Sequence, residues 1–170
     1  MGARLTTAIR IGDSANAILQ RVKAFDQEEL RNNEEWDMRA HIGIEPMLLA
    51  LSMELALKAW FVFDHDTPEV IRVHKLPILF EELKPESQDK LDSEFRKSVA
   101  PLHPNLFYID YGIRNVLKQH EDAFVDWRYI YEAKNITCDE SAFIATLEMV
   151  LSEFRKRYRI EEVPPIWSSE

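Results

Sequence analysis

The sequence predicts an all-α fold, a helical bundle of about five to six helices in a single domain. Glycine is scarce, with only 4 among 170 residues, and tight β-turns depend on glycine. Apolar residues recur at helical spacing along most of the chain, and no run of residues has the pattern of a strand. We expect one domain over residues 1–170, with its core at about 12–159 and an extended tail at 160–170.

The first helix is predicted from a capping signal and an apolar face. Asp13 and Ser14 are residue types that cap helix N-termini well, so the helix is expected to begin there. A polar segment at 31–39 follows and is expected to form a loop or a short turn. The inner face of the helix is predicted from the apolar residues Ile18, Val22 and Phe25.

The second helix is expected to open at Glu45 and Pro46, because proline suits the first turn of a helix. It runs to about Phe63 and is apolar nearly all round, which predicts that it lies at the centre of the bundle. Its apolar length also raises the question of a membrane. Glu54 and Lys58 stand in its middle, and charges are costly in lipid, so we expect a buried helix and no membrane.

The remaining helices are predicted from breaks and apolar stripes. Two helices are expected at about 75–83 and 85–99, and prolines then start an irregular stretch. A long amphipathic helix, or two nearly collinear ones, follows at 109–131, with a stripe of Ile109, Ile113, Val116, Leu117, His120, Phe124, Trp127 and Tyr131. A capping box at 137–140 starts the last helix, whose inner face is Phe143, Leu147, Val150, Leu151, Phe154 and Tyr158.

Charge and composition limit the classes of function. The net charge is -9, so bulk electrostatics do not favour nucleic acid, although a local basic patch remains open. Ordinary solvated helix faces are the alternative interpretation of such charges. The basic residues concerned are Arg114, Lys118, Arg128, Arg155, Lys156, Arg157 and Arg159.

Compartment and cofactors are inferred from what the sequence lacks. Cys138 is the only cysteine, so neither an internal disulfide nor a thiolate metal cluster can form. The N-terminal residues lack the apolar core of a secretory signal, which makes the cytoplasm the expected compartment. The histidines do not have zinc-enzyme spacing and no glycine-rich phosphate loop occurs. We therefore expect no metal and no cofactor.

Three short motifs follow one another along the chain. The first is ELALKA at 54–59, within the predicted second helix. The second is HKL at 74–76 followed by Leu79 and Phe80, and the third is WRYIYE at 127–132. In this order and spacing they resemble the HEPN family, the higher eukaryote and prokaryote nucleotide-binding domain, over about residues 45–155.

The resemblance implies an up-and-down four-helix core, often in a homodimer, and one of two functional types. Some members are metal-independent ribonucleases that carry an arginine, four to six further residues and a histidine. Others lack that pair and bind nucleotides, or serve as partner modules in toxin and defence systems. The implied partners are RNA or a nucleotide, a second copy of the chain, and an antitoxin or other protein. Lys75 departs from the family, because many members have an acidic residue in its place.

Arg114 and His120 have the spacing of the ribonuclease pair, with five residues between them. A histidine can move the protons of the reaction, an arginine can neutralise charge on the phosphate, and Asn115 can add a hydrogen bond. An unbroken helix opposes this assignment, because six residues leave the two side chains roughly 120° apart. A break near Gly112 or convergence across a dimer axis would be needed. The alternative is that His120, which lies on the apolar stripe, is a core histidine.

A second set of residues is predicted to bind nucleotide or RNA: Glu54, Lys58, His74, Arg128 and Tyr129. Glu54 and Lys58 are spaced for a helical ion pair, and each needs a partner if it is buried. Arg128 stands between aromatic residues, a combination that suits phosphate binding with base stacking. The alternative is a purely structural polar network in which Arg128 or Tyr129 joins Glu54. Two hypotheses therefore stay open: RNA cleavage without a metal, and a non-catalytic module that binds a nucleotide or a protein.

Overall fold

The computed structural model describes residues 3–32, 44–104, 110–121 and 140–161. These residues form helices that pack as a bundle, and no strand occurs among them, so the predicted all-α class is confirmed. The helices are α1 Ala3–Asn32, α2 Ile44–His65, α3 Leu76–Glu81, α4 Pro85–Ser98, α5 Ile113–Gln119 and α6 Glu140–Glu161.

Helix α1 is already formed at Ala3, well before the start that the sequence predicts at Asp13 and Ser14. Asp13 and Ser14 do not cap it but lie inside it, and the Ser14 hydroxyl donates to the carbonyl of Arg10 one turn back. Gly12 also lies inside the helix, and an added Cβ at this position would meet the ring of Phe154 at 2.8 Å. The glycine therefore allows α1 to approach α6 closely. The segment predicted as a loop at 31–39 begins inside α1, since the helix ends at Asn32.

Helix α2 lies at the centre of the bundle, as predicted, and packs most extensively against α1. Most of its residues are buried, including Met53, Leu57 and Trp60. Among the described helices it alone is long and apolar enough to cross a membrane, judged by length and composition, and 67% of its apolar window is buried inside the protein. Glu54 and Lys58 are among its buried residues.

The helix predicted after the proline-rich turn is present as the short helix α5, Ile113–Gln119, and does not continue through His120. Gly112 precedes α5, and the helix ends at Gln119, so that His120 stands at its C-cap with a φ of -115°. One continuous helix over 109–131 is therefore excluded, because the backbone turns at His120 and Glu121; residues 109 and 122–131 lie outside the described residues, so the alternative of two nearly collinear helices stays a prediction. Helices α3 and α4 begin at Leu76 and Pro85, close to the predicted positions.

Helix α6 closes the core with the apolar face that the sequence predicts. The buried residues of this face are Phe143, Leu147, Val150, Leu151 and Phe154, and Tyr158 packs against them. The end of α6 is fastened to α2 by Arg157, whose guanidinium lies over the rings of Trp60 and Phe63 and donates to Asp64. Asp64 also accepts hydrogen bonds from the Ser87 hydroxyl and the Lys84 amide, so one buried carboxylate joins α2, α4 and α6.

Candidate functional site

Three of the residues predicted to bind nucleotide or RNA lie together, and we call them the Glu54 cluster: Glu54, Lys58 and His74. One oxygen of Glu54, Oε1, accepts from the Lys58 ammonium at 2.6 Å and from His74 Nδ1 at 3.1 Å. The other oxygen, Oε2, is buried without a hydrogen-bond partner in the described part of the chain. The side chains of Glu54 and Lys58 are 5% and 9% exposed, whereas that of His74 is 75% exposed.

The Glu54 carboxylate fixes the orientation of the His74 imidazole. A carboxylate can only accept, so Nδ1 of His74 must carry the proton that it donates to Glu54. The ring thereby turns its other nitrogen, Nε2, away from the carboxylate. A buried ion pair thus holds an exposed imidazole in one direction, which is an arrangement suited to contacting a ligand.

His74 lies in the non-helical segment between α2 and α3, where exposure alternates over residues 71–74. Ile71 and Val73 pack against the core, while Arg72 and His74 are exposed. Because exposure alternates with a period of two, Arg72 and His74 both face away from the core against which Ile71 and Val73 pack. Arg72 forms no ion pair with a described carboxylate. The segment 72–74 therefore exposes the positive charge of Arg72 together with the His74 imidazole on an acidic protein.

Arg114 and Asn115 lie at a separate place, a cleft between α3, α4 and α5 that encloses about 140 Å³. Arg114 is exposed, donates to Gln88 Oε1 at 2.6 Å and lies over the ring of Phe80 at 5.4 Å. Asn115 accepts from the amide of Gly112 through its side-chain oxygen. We call this the Arg114 cleft, and its lining is Phe80, Gln88, Asp89, Asp92, Arg96, Asp110, Gly112, Arg114 and Asn115.

One wall of the Arg114 cleft is an ion-pair network in which Arg96 contacts two carboxylates. Its guanidinium contacts Asp92 at 2.7 Å and Asp110 at 2.7 Å, and the hydrogen bond with Asp92 raises the pKa of Arg96 above its ordinary value. Asp92 also accepts from the amide of Ile113, so it ties α4 to the start of α5. A Cβ at Gly112 would come within 2.6 Å of Asp92, which accounts for a glycine at this corner.

His120 is buried and is not among the residues that line the Arg114 cleft. Its imidazole stacks on Phe143 with 3.8 Å between the ring centroids, and its Nδ1 donates to the carbonyl of Val116 at 2.8 Å. Its position agrees with the interpretation as a core histidine. Arg114 is exposed at the cleft while His120 faces the interior, so the chain does not bring the ribonuclease pair into one site.

Arg128 and Tyr129, the other two residues predicted to bind nucleotide or RNA, lie outside the described residues, and so does the third HEPN-like motif. Among the basic residues near the C-terminus, Lys156 pairs with Glu153 and Arg157 pairs with Asp64. Both contacts are internal ion pairs, and the side chain of Arg159 lies outside the described residues, so a basic patch near the C-terminus stays a prediction. Within the described ranges, no group of three or more His, Cys, Asp or Glu residues is suited to hold a metal ion.

Sequence reasoning missed most of the Arg114 cleft. Asp92 and Arg96 have the i,i+4 spacing of a helical ion pair, so this part of the wall carried a readable signal. Gln88 contacts Arg114 across 26 residues, and only the packing of α4 beside α5 brings them together. The Glu54–Lys58 pair was predicted and is present. Its contact with His74 depends on how the non-helical segment between α2 and α3 lies against α2. No protein-family model, curated protein or solved structure matches the chain.

Proposed function

We propose that this chain is a HEPN-like helical module that binds RNA or a nucleotide without cleaving it. The observation that carries the proposal is that members of one predicted set of residues contact each other, whereas Arg114 and His120 lie in different surroundings. Lys58 and His74 both donate to one carboxylate oxygen of Glu54, and the His74 side chain is exposed. Arg114 and His120 are directed to different environments, one to a surface cleft and one to the core.

Phosphate contact is assigned to the exposed segment that carries Arg72 and His74. The Glu54–Lys58 pair is neutral as a unit, so it orients His74 without adding net charge to the face. Arg72 supplies the permanent positive charge, and the imidazole of His74 supplies a ring nitrogen held in one direction by Glu54. The Arg114 cleft is less suited to a phosphate, because Asp89, Asp92 and Asp110 outnumber its two guanidinium groups.

The biological setting rests on the family resemblance. On this proposal the domain works in the cytoplasm as a homodimer, within a bacterial defence or toxin–antitoxin system. Its protein partner there would be an antitoxin or another component of the system. A non-cleaving member would contribute binding, and a partner would contribute any chemistry.

Binding of a labelled single-stranded RNA in EDTA, followed by fluorescence anisotropy across a salt series, tests the proposal. We expect His74→Ala and Arg72→Ala to weaken binding, with His103→Ala as the matched histidine control. Loss of the Arg72 contact should reduce the magnitude of the slope of log affinity against log salt by about 0.7, the value for one phosphate on a single strand. Wild-type affinity in both variants would overturn the assignment of the segment.

The same samples, analysed on a denaturing gel, test the absence of cleavage. We expect intact RNA with the wild-type protein. Arg114→Ala is the decisive variant here, because Arg114 is exposed, whereas His120, the other member of the predicted pair, is part of the core. Cleavage by the wild type that disappears in Arg114→Ala would restore the ribonuclease hypothesis.

A further inference from the structure

The planar guanidinium of Arg114 is held in place by two contacts at its cleft. Its central carbon lies over the Phe80 ring at 5.4 Å from the ring centroid, and a hydrogen bond of 2.6 Å to Gln88 restrains its position. Gln88 is itself anchored, because its amide nitrogen donates to the carbonyls of Glu81 and Leu83. A planar cation restrained in this way can stack against a nucleobase at little further entropic cost.

Asp89 supplies an unused acceptor in the same cleft as Arg114. It is exposed, lines the cleft and forms no hydrogen bond or ion pair with another described residue. The other carboxylates of the cleft are engaged, since Asp92 and Asp110 both pair with Arg96. Asp89 is therefore the carboxylate with both oxygens open to a ligand.

The size and chemistry of the cleft together select one kind of ligand group. About 140 Å³ is well below the several hundred Å³ of sites that enclose a whole drug-sized ligand, so the cleft suits a single base rather than a complete nucleotide. A carboxylate with two free oxygens accepts best from two adjacent donors. Guanine presents such a pair at N1–H and the 2-amino group, whereas adenine, cytosine and uracil each place an acceptor beside their donor.

We propose that the Arg114 cleft binds a guanine base, with Arg114 stacked on the ring and Asp89 accepting from N1–H and the 2-amino group. This inference rests on the proposed nucleotide binding and adds the identity of the base. It gives the two sites different tasks, since the segment with Arg72 and His74 contacts phosphate and the Arg114 cleft reads the base. No chemical step is involved.

Calorimetric titration of the full chain with guanosine, inosine, adenosine and cytidine monophosphates tests the proposal. Inosine monophosphate lacks only the 2-amino group, so we expect it to bind about tenfold more weakly than guanosine monophosphate. Asp89→Asn should lower the affinity for guanosine monophosphate by a similar factor, because an amide cannot accept from both donors. Asp13→Asn, which removes an exposed carboxylate of α1, is the matched control and should change nothing.

Arg114→Lys separates the effect of stacking by a planar group from the effect of positive charge alone. Lysine keeps the charge and loses the plane, so we expect it to weaken guanosine monophosphate about as much as Arg114→Ala does. Equal affinity for all four nucleotides, or an unchanged guanine preference in Asp89→Asn, would overturn the base site. Failure of every mononucleotide to bind, while RNA still binds through His74, would overturn it and leave the proposed function standing.

Discussion

The imidazole of His120 lies nearly parallel to the ring of Phe143, with an angle of 20° between the planes. The stack joins the C-cap of α5 to the inner face of α6, and the side-chain bond to Val116 covers one ring nitrogen. A residue first singled out for catalysis therefore contributes packing contacts in the core. This has a direct consequence for any test of activity that removes His120.

We expect His120→Ala to lower the free energy of unfolding by about 2–3 kcal/mol, because it opens a cavity against Phe143 and removes the hydrogen bond to Val116. Urea unfolding followed by circular dichroism measures this. The neighbouring exposed residue provides the control, and Gln119→Ala should change stability by less than about 0.5 kcal/mol. A stability loss no larger than that of Gln119→Ala would mean that the stack contributes little.

Helical periodicity predicted the buried face of α6 and the central position of α2, because those signals are local and repeat over several turns. The start of α1 was missed for a different reason. Asp13 and Ser14 are good caps by residue type, but the apolar residues before them, Leu5 and Ala8, are buried and extend the helix. A favourable cap is worth about 1 kcal/mol, which burial of an additional turn outweighs.

The candidate sites were predicted only in part, because they depend on contacts between distant segments. The spacing of Glu54 and Lys58 is local and was readable. The contact of Glu54 with His74, which directs the exposed imidazole, requires the non-helical segment between α2 and α3 to lie close to α2. Similarly, the spacing of Arg114 and His120 is a linear pattern that carries no information on their surroundings: Arg114 is exposed at the cleft, whereas His120 is buried against Phe143.

Gly12 provides a test of the close approach between α1 and α6. Replacing a helical glycine by alanine ordinarily stabilises by about 1 kcal/mol, but here the added Cβ would meet the buried Phe154 ring at 2.8 Å. Overpacking costs about 1–3 kcal/mol, so we expect Gly12→Ala to be destabilising. In a Phe154→Leu background the ring is gone, and the same change should become neutral or stabilising. Additive effects in this double-mutant cycle would contradict the contact.

Asp64 and Asp66 form a natural pair for testing the buried junction of α2, α4 and α6. The Asp64 side chain is 0% exposed and accepts from Arg157, Ser87 and the Lys84 amide, whereas Asp66 is 77% exposed and pairs with Arg4. We expect Asp64→Asn to cost about 3 kcal/mol, because the guanidinium of Arg157 loses its partner against Trp60 and Phe63.

Asp66→Asn is the matched control for that measurement. Asp66 has a φ of 53°, a conformation that asparagine tolerates as well as aspartate does. Loss of an exposed ion pair costs little, so we expect a change below about 0.5 kcal/mol. Thermal melts of both variants at one pH compare them. Similar melting temperatures for Asp64→Asn and Asp66→Asn would show that the buried junction is not a main source of stability.

Glu153 gives a prediction for the response to acid. Burial alone would raise the pKa of this carboxyl, but the hydrogen bonds from Lys156 and Lys90 outweigh it and lower the pKa below the ordinary value of 4.5. Because the folded pKa lies below the unfolded one, the stabilisation is complete above about pH 4.5 and is lost as the pH falls through the folded pKa. The pKa of Lys156 is raised by Glu153, so its own contribution is lost only in strong alkali, above 10.5.

Glu153→Gln should therefore lower the free energy of unfolding at neutral pH and flatten its fall in acid below about pH 4.5. Urea unfolding at neutral pH and at about pH 3.5 measures both effects. Glu148→Gln is the control, because Glu148 belongs to the same helix and pairs with Lys23 at the surface, where such pairs contribute little. If the wild type and Glu153→Gln lose the same stability between the two pH values, the Lys90 and Lys156 contacts do not lower the pKa of Glu153 in the folded protein.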